Sequence, residues 1–247
     1  MIPDPDWPAA YGRVVLAEVD STNAEAQRQI PHLSGPSWFL ALRQTAGRGR
    51  RGRAWSDPPG NFAATLALRS DDPPARLALR SFTAALALRE ALVALTGLDG
   101  AFALKWPNDV LLNGGKLSGI LLESLGQGAL ALGIGVNLRA APPADQGAAF
   151  APVSLRQETG LDLGPERLLA HLAPAFDRWE QRLTTYGFDP VRNAFLSHVA
   201  RLGQPLIART QRDEVQGVFE TIDDSGALVL RTAQGRVTIP AADIFFP

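Results

Sequence analysis

The chain has 247 residues, of which 46% are hydrophobic, and a formal net charge of −1. This composition is typical of a soluble globular protein with a large core, and it argues against binding of polyanions over the whole surface. The absence of cysteine excludes disulfides, thiolate metal sites and cysteine nucleophiles. Residues 1–12 lack the basic and apolar regions of a signal peptide, and charges interrupt every apolar run, so we expect a cytosolic protein.

The first part of the chain predicts three strands and two helices. The strands are expected at residues 13–20, 37–44 and 61–69. A helix should follow the first strand, with Ser21 or Thr22 as its N-cap and with Thr22 and Glu25 spaced as a capping box. Apolar residues then recur at helical spacing over residues 74–95, and Gly97 is expected to end that helix.

The middle of the chain predicts antiparallel β-structure followed by helices. Four strand-like segments are separated by turns of two or three residues, which are too short for parallel connections. The segments are residues 101–106, 109–113, 116–124 and 129–138. Three helices are expected after them, at residues 152–159, 165–186 and 190–200.

The pattern changes after residue 201. Four short β-like runs, separated by turns such as Asp223-Asp224-Ser225-Gly226, predict a small β-barrel of SH3 size. We therefore expect two domains, residues 1–200 and residues 201–247. Because strands and helices are grouped rather than strictly alternating, the predicted class is α+β, with a mixed, mostly antiparallel sheet packed against helices.

Residues 44–55, QTAGRGRRGRAW, interleave arginines with glycines. Glycine lets backbone N–H groups face an anion, and arginine adds bidentate donors for phosphate or carboxylate. The position of this loop between two predicted strands favours a loop that closes over a ligand. A flexible surface loop or a nucleic-acid patch is the alternative left open by composition alone. The loop matches neither the P-loop nor the GxGxxG pattern.

Both lysines of the chain lie in one segment, KWPNDVLLNGGK, as Lys105 and Lys116. An ammonium group can approach a single oxygen end-on in a narrow site, whereas the guanidinium group is too broad. We therefore predict that the two ammonium groups face one pocket. Asp109, which lies between them, is expected either as a turn residue or as a Mg²⁺ ligand.

Five segments, taken in order, resemble the signature blocks of biotin–protein ligases. They are STN (residues 21–23), GRGRRGRAW (47–55), KWPNDV (105–110), GGKLSGILLE (114–123) and GIGVNL (133–138). The resemblance implies a catalytic domain of the class II synthetase-like, biotin–lipoate ligase type, with a small SH3-like C-terminal domain. It also implies two reactions. Biotin and Mg-ATP form biotinyl-5′-AMP, and biotin then passes to a lysine of a biotin carboxyl carrier protein, such as that of acetyl-CoA carboxylase.

The resemblance assigns roles to residues of this chain. It places Lys116 at the biotin carboxylate, Lys105 at the α-phosphate, and Arg50 on the loop that encloses the adenylate, all three as catalytic residues. The residues expected to bind biotin are Ser21, Thr22, Asn23, Gln44, Gly47, Arg48, Lys116, Gly119, Gly133 and Gly135. The residues expected to bind ATP or the adenylate are Arg50, Arg53, Trp55, Asn61, Lys105, Asn108 and Asn137. Trp55 is expected either to cover the site or to be a core anchor.

Two rival hypotheses and several partner predictions remain at this stage. A lipoate–protein ligase would share the adenylate chemistry, and a nucleic-acid-binding module would leave the KWPND segment without a role. Some members of the family carry an N-terminal DNA-binding domain, for which the dozen or so residues before the first predicted strand are too few. We therefore expect no DNA and no membrane partner, while the family makes a homodimer plausible.

Overall fold

A computed structural model describes residues 4–49, 52–144, 150–210 and 213–246. It confirms the predicted α+β class, with a seven-stranded mixed sheet, helices and a second sheet of five strands. The first sheet contains β1 (Gly12–Leu16), β2 (Ser37–Ala41), β3 (Phe62–Arg69), β4 (Phe102–Lys105), β5 (Asp109–Leu112), β6 (Gly115–Gly126) and β7 (Ala129–Val136). The helices are α1 (Thr22–Gln29), α2 (Pro74–Ala78), α3 (Arg80–Thr96), α4 (Leu155–Thr159), α5 (Pro165–Tyr186) and α6 (Asp189–His198). The second sheet contains β8 (Pro205–Arg209), β9 (Glu214–Ile222), β10 (Leu228–Thr232), β11 (Gly235–Ile239) and β12 (Asp243–Phe245).

The first sheet runs in the order β1-β2-β3-β7-β6-β5-β4. The predicted antiparallel succession from β4 to β7 is confirmed, and β1 with β2 forms the single parallel pair of this sheet. That pair is parallel because α1 carries the chain back to the same end of the sheet. Helices α3 and α5 pack together on one face, and α1 covers part of the other, so the central strands β2 and β3 are buried on both faces.

The start of α1 differs from the prediction. Ser21 occupies the N-cap position, but no side chain caps the helix. The Thr22 hydroxyl donates instead to Gln44 Oε1 at 3.1 Å, and the Glu25 carboxylate accepts from Arg28 at 2.8 Å. The predicted capping box is therefore wrong, because a tertiary partner has replaced the local one.

The predicted helix at residues 74–95 is broken into two. Helix α2 ends at Ala78 and α3 begins at Arg80, with i→i+3 hydrogen bonds at the junction. The end at Gly97 is confirmed, because this residue is left-handed (φ 74°) and its N–H bonds to Val93 O. Several elements are shorter than predicted, among them β1, which ends where its pairing with β2 ends, at Leu16.

The second sheet, which we call the C-terminal sheet, runs in the order β11-β10-β9-β8-β12, and all its neighbours are antiparallel. Strand β12 was not predicted, because three residues are too few to show an alternating pattern. The two sheets meet where Trp106 Nε1 donates to Gly226 O at 2.9 Å. Gly226 is left-handed (φ 84°), and a Cβ there would lie 2.9 Å from Phe82. Among the described residues, no helix combines the length and the apolar character needed to span a membrane.

A buried ionic cluster ties α3 to α5 and predicts a large effect on stability. Arg80 is 2% exposed, and its guanidinium lies 2.9 Å from Asp72 Oδ2 and 2.7 Å from Glu180 Oε1. Burial raises the pKa of the Glu180 carboxyl, and the adjacent Arg80 guanidinium opposes part of this increase. Replacement of Arg80 by alanine leaves the Glu180 carboxylate without its counter-charge and Asp72 with the exposed Arg76 alone, and we expect a loss of about 3 kcal/mol in the free energy of unfolding.

Urea unfolding followed by circular dichroism measures this loss. Arg76→Ala is the matched control, because Arg76 pairs with the same Asp72 at 3.3 Å but is 43% exposed. The control should cost less than about 1 kcal/mol. Equal losses in the free energy of unfolding for the two variants would contradict the larger stabilising effect assigned to the buried Arg80.

Candidate active site

The floor of the site is a row of small residues across four strands. Asp109, Gly119, Gly135 and Ala63 are register partners on β5, β6, β7 and β3. A Cβ at Gly135 would lie 2.4 Å from Cε2 of Trp55, and a Cβ at Gly119 would lie 3.2 Å from Cζ3 of the same ring. The indole of Trp55 therefore packs on this floor, in a contact that requires glycine at position 135.

A cluster of polar side chains that includes Thr65 lies along the floor. The Thr22 backbone N–H and hydroxyl both donate to Gln44 Oε1, at 2.8 and 3.1 Å. The Thr65 hydroxyl lies 2.8 Å from Thr22 Oγ1 and 2.6 Å from Asn23 Oδ1. Asn23 Nδ2 in turn donates to Glu123 Oε2 at 2.6 Å. We call these five residues the polar cluster. Because three of them are buried, their amide and hydroxyl groups are held in fixed positions.

Glycines allow the polar cluster to pack closely against the sheet and the loop. A Cβ at Gly133, the register partner of Thr65, would lie 2.3 Å from Asn23 Oδ1. A Cβ at Gly47 would lie 3.0 Å from Gln44 Nε2. Gln44 is also fixed from its other side, because its backbone N–H donates to the Asp57 carboxylate at 3.0 Å. Burial raises the pKa of Asp57.

The glycine–arginine loop forms a short hairpin over the floor. Its two arms are joined by hydrogen bonds from Trp55 N to Gly47 O at 2.9 Å and from Gly49 N to Arg53 O at 2.7 Å. This pairing places Trp55 against the sheet. Arg50, predicted to be catalytic, lies outside the described residues.

The two described arginines of the loop that were predicted to bind ligands point to different partners. Arg48 Nη2 lies 3.9 Å from Glu123 Oε2, beside the polar cluster. Arg53 is 69% exposed, and its Nη2 lies 3.9 Å from Asp243 Oδ1 on the C-terminal sheet. Both pairs are long and half-exposed, so both guanidinium groups can turn toward an anionic ligand.

The structure brings the two lysines together on one carboxylate, as the sequence predicted. Lys105 Nζ lies 3.1 Å from Asp109 Oδ2, and Lys116 Nζ lies 2.9 Å from Asp109 Oδ1. Lys105 and Asp109 are register partners in the tight β4–β5 connection, and Lys116 comes from the adjacent strand β6. The side chains of Lys105 and Asp109 are 11% and 8% exposed, whereas Lys116 is 36% exposed and faces the open side.

Burial and charge act in opposite directions within this lysine pair. Burial lowers the pKa of Lys105, and the Asp109 carboxylate opposes that effect. Burial would raise the pKa of Asp109, but the Lys116 and Lys105 ammonium groups outweigh it and hold this pKa below its usual range. Asp109 is therefore ionised at neutral pH, and two ammonium groups share one carboxylate.

This arrangement does not fit a magnesium ion bound directly to Asp109. Both carboxylate oxygens already accept from an ammonium group. In the described part of the chain, no group of three histidine, cysteine or acidic side chains is placed to hold a metal. Of the two roles predicted for Asp109, its geometry favours the structural one.

The three asparagines predicted to bind the nucleotide are held by backbone groups. Asn108 Nδ2 donates to Ile120 O, so this amide fixes the turn before β5. Asn61 accepts from the backbone N–H groups of Arg139 and Ala140 and donates to Ala140 O, an arrangement that positions the segment after β7.

Asn137 differs from the other two. It is 2% exposed and donates to Val153 O at 3.1 Å, while its Oδ1 has no hydrogen-bond partner among the described residues. A buried acceptor without a partner is a costly feature, and a ligand donor would satisfy it.

Sequence reasoning missed four residues of the site. Thr65 and Glu123 complete the polar cluster, Asp57 holds Gln44, and the Phe150 ring covers the Lys105 ammonium group with its centroid 4.6 Å from Nζ. Thr65 had a usable signal, as the polar residue in the middle of the apolar strand FAATLALR. The other three are brought into place by tertiary contacts.

Comparisons with known proteins agree with this architecture. The model of the biotin/lipoate A/B protein ligase family matches residues 14–139, and that of the biotin protein ligase C-terminal domain matches residues 202–246. The chain is 57% identical over 238 residues to a biotin–[acetyl-CoA-carboxylase] ligase of Paracoccus denitrificans, covering 94% of this chain and 99% of that protein. It is 32% identical over 247 residues to a ligase of the same name from Mycobacterium tuberculosis, covering 93% and 87%.

A solved structure shares the fold. The biotin protein ligase of Aquifex aeolicus in complex with biotin and ATP superimposes with a TM-score of 0.83 and 25% identity, over 94% of this chain and 97% of that one. The matched segments contain the polar cluster, the glycine floor, the lysine pair and the C-terminal sheet. This chain therefore belongs to the biotin protein ligases of the biotin/lipoate A/B protein ligase family.

Proposed function

We propose that this enzyme activates biotin with ATP to biotinyl-5′-AMP and transfers it to a lysine of a biotin carboxyl carrier protein. The observation that carries the proposal is the Lys105–Asp109–Lys116 cluster. Two ammonium groups on one carboxylate leave a net positive charge at a partly buried position. Such a charge attracts both a carboxylate and a phosphate, which are the two anions that must meet in the first step.

In the first step, a biotin carboxylate oxygen attacks the α-phosphorus of ATP. The new P–O bond forms as the bond to the bridging oxygen of pyrophosphate breaks, and pyrophosphate leaves with the electron pair. Both reactants are anions, so an enzyme must hold them together against repulsion. Lys116, on the more open side, is assigned to the biotin carboxylate, and Lys105, buried under Phe150, is assigned to the α-phosphate.

The polar cluster is suited to the ureido ring of biotin. That ring carries two N–H donors and one carbonyl acceptor, and the cluster presents hydroxyl and amide groups of both kinds within hydrogen-bonding distance of one another. The floor between the cluster and Asp109 is made of glycines on which the Trp55 indole packs, so the flat ring system of biotin would lie against that indole or displace it.

In the second step, the amine of a carrier lysine attacks the acyl carbon of the mixed anhydride. The C–N bond forms, the C–O bond to the phosphate breaks, AMP leaves and the amine proton passes to solvent. No protein nucleophile is needed. The positive charge of the lysine pair stabilises the departing phosphate.

Nucleotide binding is assigned to Lys105 and to the predicted asparagines. Asn137, whose backbone N–H donates to Leu117 O beside Lys116, offers its unpartnered Oδ1. Asn61 holds the backbone that follows Asn137, and Asn108 holds Ile120. Magnesium remains part of the proposal only as an ion accompanying the ATP phosphates, because Asp109 is occupied by the two lysines. A cytosolic location, a homodimer and the absence of a DNA partner stay predictions.

The polar cluster favours biotin over lipoate as substrate. The dithiolane ring of lipoate has neither an N–H donor nor a carbonyl acceptor. It would make no hydrogen bond to the polar cluster, whose groups would keep only the partners that they have in one another, whereas the ureido ring could gain hydrogen bonds there.

Pyrophosphate release with ATP, in the presence and absence of biotin, tests the first step. We expect release only with biotin. Incubation with an acceptor carrier domain should then add the mass of a biotinyl group to that domain, as measured by mass spectrometry. Addition of a lipoyl group instead, or pyrophosphate release that ignores biotin, would contradict the proposal.

Lys116→Arg should impair adenylate formation. The guanidinium group cannot approach Asp109 and the substrate carboxylate end-on in the space that the ammonium occupies. We expect kcat for pyrophosphate release to fall by about 100-fold or more, with little change in melting temperature because the side chain is 36% exposed.

The reverse exchange at an exposed ion pair serves as the control. Arg43→Lys, at a side chain 61% exposed beside Glu18, should keep wild-type kcat. Full activity of Lys116→Arg would remove the reason given for lysine at this position.

Gly135→Ala should weaken the site through Trp55. The added Cβ would lie 2.4 Å from the indole, so the ring must shift on the floor. We expect KM for biotin to rise about tenfold. Gly100→Ala is the control, because a Cβ there meets no atom within 4 Å. Equal KM values for the two variants would mean that the contact between Gly135 and the Trp55 indole does not shape the biotin site.

A further inference from the structure

The backbone around Lys105 is held by the C-terminal part of the chain. Leu104 O accepts from Ala200 N at 2.7 Å, just before the C-terminal sheet. On the other side of the lysine, Trp106 Nε1 donates to Gly226 O at 2.9 Å, in a buried hydrogen bond to the β9–β10 turn. Both residues next to Lys105 are therefore fixed by groups that lie far away in sequence.

The side chain of Lys105 is also linked to the C-terminal part of the chain, through two aromatic rings. Its Nζ lies 4.6 Å from the ring centroid of Phe150. Phe150 is held edge to face by Phe246, with ring centroids 4.5 Å apart and an interplanar angle of 89°. The Arg201 guanidinium lies 5.1 Å from the Phe246 centroid. A continuous chain of ring and cation contacts thus runs from the C-terminal sheet to the ammonium group.

Asp243, three residues before Phe246, adds a charge to this arrangement. Its Oδ1 lies 3.9 Å from Arg53 Nη2 of the glycine–arginine loop, and its negative field acts on Lys105. Strand β12 and the residue that follows it therefore contribute two side chains to the region around Lys105. Asp243 faces the loop, and Phe246 contacts Phe150 in the segment after β7.

We propose that Phe246 is a positioning residue for Lys105, acting through Phe150, so that the C-terminal sheet completes the nucleotide side of the active site. Phe150 covers the Lys105 ammonium group but is not itself part of the C-terminal sheet. Phe246 supplies the contact that fixes the Phe150 ring. The proposal rests on the proposed ligase function, because the assignment of Lys105 to the α-phosphate is part of that function.

A double-mutant cycle tests this role. Phe246→Leu keeps apolar volume but removes the aromatic ring, and it should weaken ATP binding about fivefold, since one aromatic contact of this kind is lost. ATP affinity is measured by calorimetry with ATP alone, so no turnover occurs. In a Lys105→Met background, the same change at Phe246 should have no further effect, because the group that it positions is gone.

Three matched variants separate positioning from general damage. Phe246→Tyr keeps the ring and should retain wild-type affinity. Phe245→Leu removes an aromatic contact of the same type, with the Arg209 guanidinium at 4.5 Å, and should also leave ATP affinity unchanged. If Phe246→Leu fails to fold, Phe150→Leu takes its place in the cycle, with the same expected loss.

The outcomes distinguish this inference from the proposed function. The inference is overturned if Phe246→Leu binds ATP like the wild type, if its loss persists in the Lys105→Met background, or if Phe245→Leu shows an equal loss. Wild-type protein that binds ATP but releases no pyrophosphate with biotin would refute the ligase function, while the ATP titrations would still decide the role of Phe246.

Discussion

The shared carboxylate of Asp109 is the interaction on which the site depends. Two ammonium groups in the same partly buried region would repel each other, and the more buried one would lose its proton. Asp109 prevents this by accepting from both, at 3.1 and 2.9 Å. One negative and two positive charges leave the cluster with a surplus positive charge, which a substrate anion can neutralise.

The fold explains why this cluster can exist. The β4–β5 connection places Lys105 directly opposite Asp109, and the pairing of β5 with β6 brings Lys116 to the second oxygen. The same register aligns Gly119 and Gly135, so the floor next to the cluster carries no side chains. One set of strand pairings therefore produces both the charge cluster and the glycine surface on which the Trp55 indole packs.

The sequence predicted those parts of the site that follow from local chemistry. The restriction of lysine to Lys105 and Lys116, within a segment rich in turn residues, indicated a shared pocket, whereas the role of the glycines of β6 and β7 came only from the family resemblance. The strands from β4 to β7 were predictable because their turns are too short for any other connection.

What the sequence could not show depends on contacts between distant segments. The predicted capping box at Thr22 was wrong because the Thr22 hydroxyl donates to Gln44, which is within reach only when β2 lies beside α1. Strand β12 and Phe246 gave no signal, since three paired residues and one aromatic ring carry no periodicity. The two roles of Asp109 were separable only once both of its oxygens were seen to be occupied.

The claim that Lys105 and Lys116 share the Asp109 carboxylate and meet the substrates can be tested directly by NMR, because the chain contains two lysines. Protein labelled with ¹³C at lysine Cε should give two resonances, which the Lys116→Arg variant assigns. The account predicts that the Lys105 resonance titrates below the usual range of lysine, since burial lowers its pKa, and that both resonances shift when biotin and ATP are added. If Lys105 titrates like an exposed lysine and neither resonance responds to the substrates, the account is contradicted.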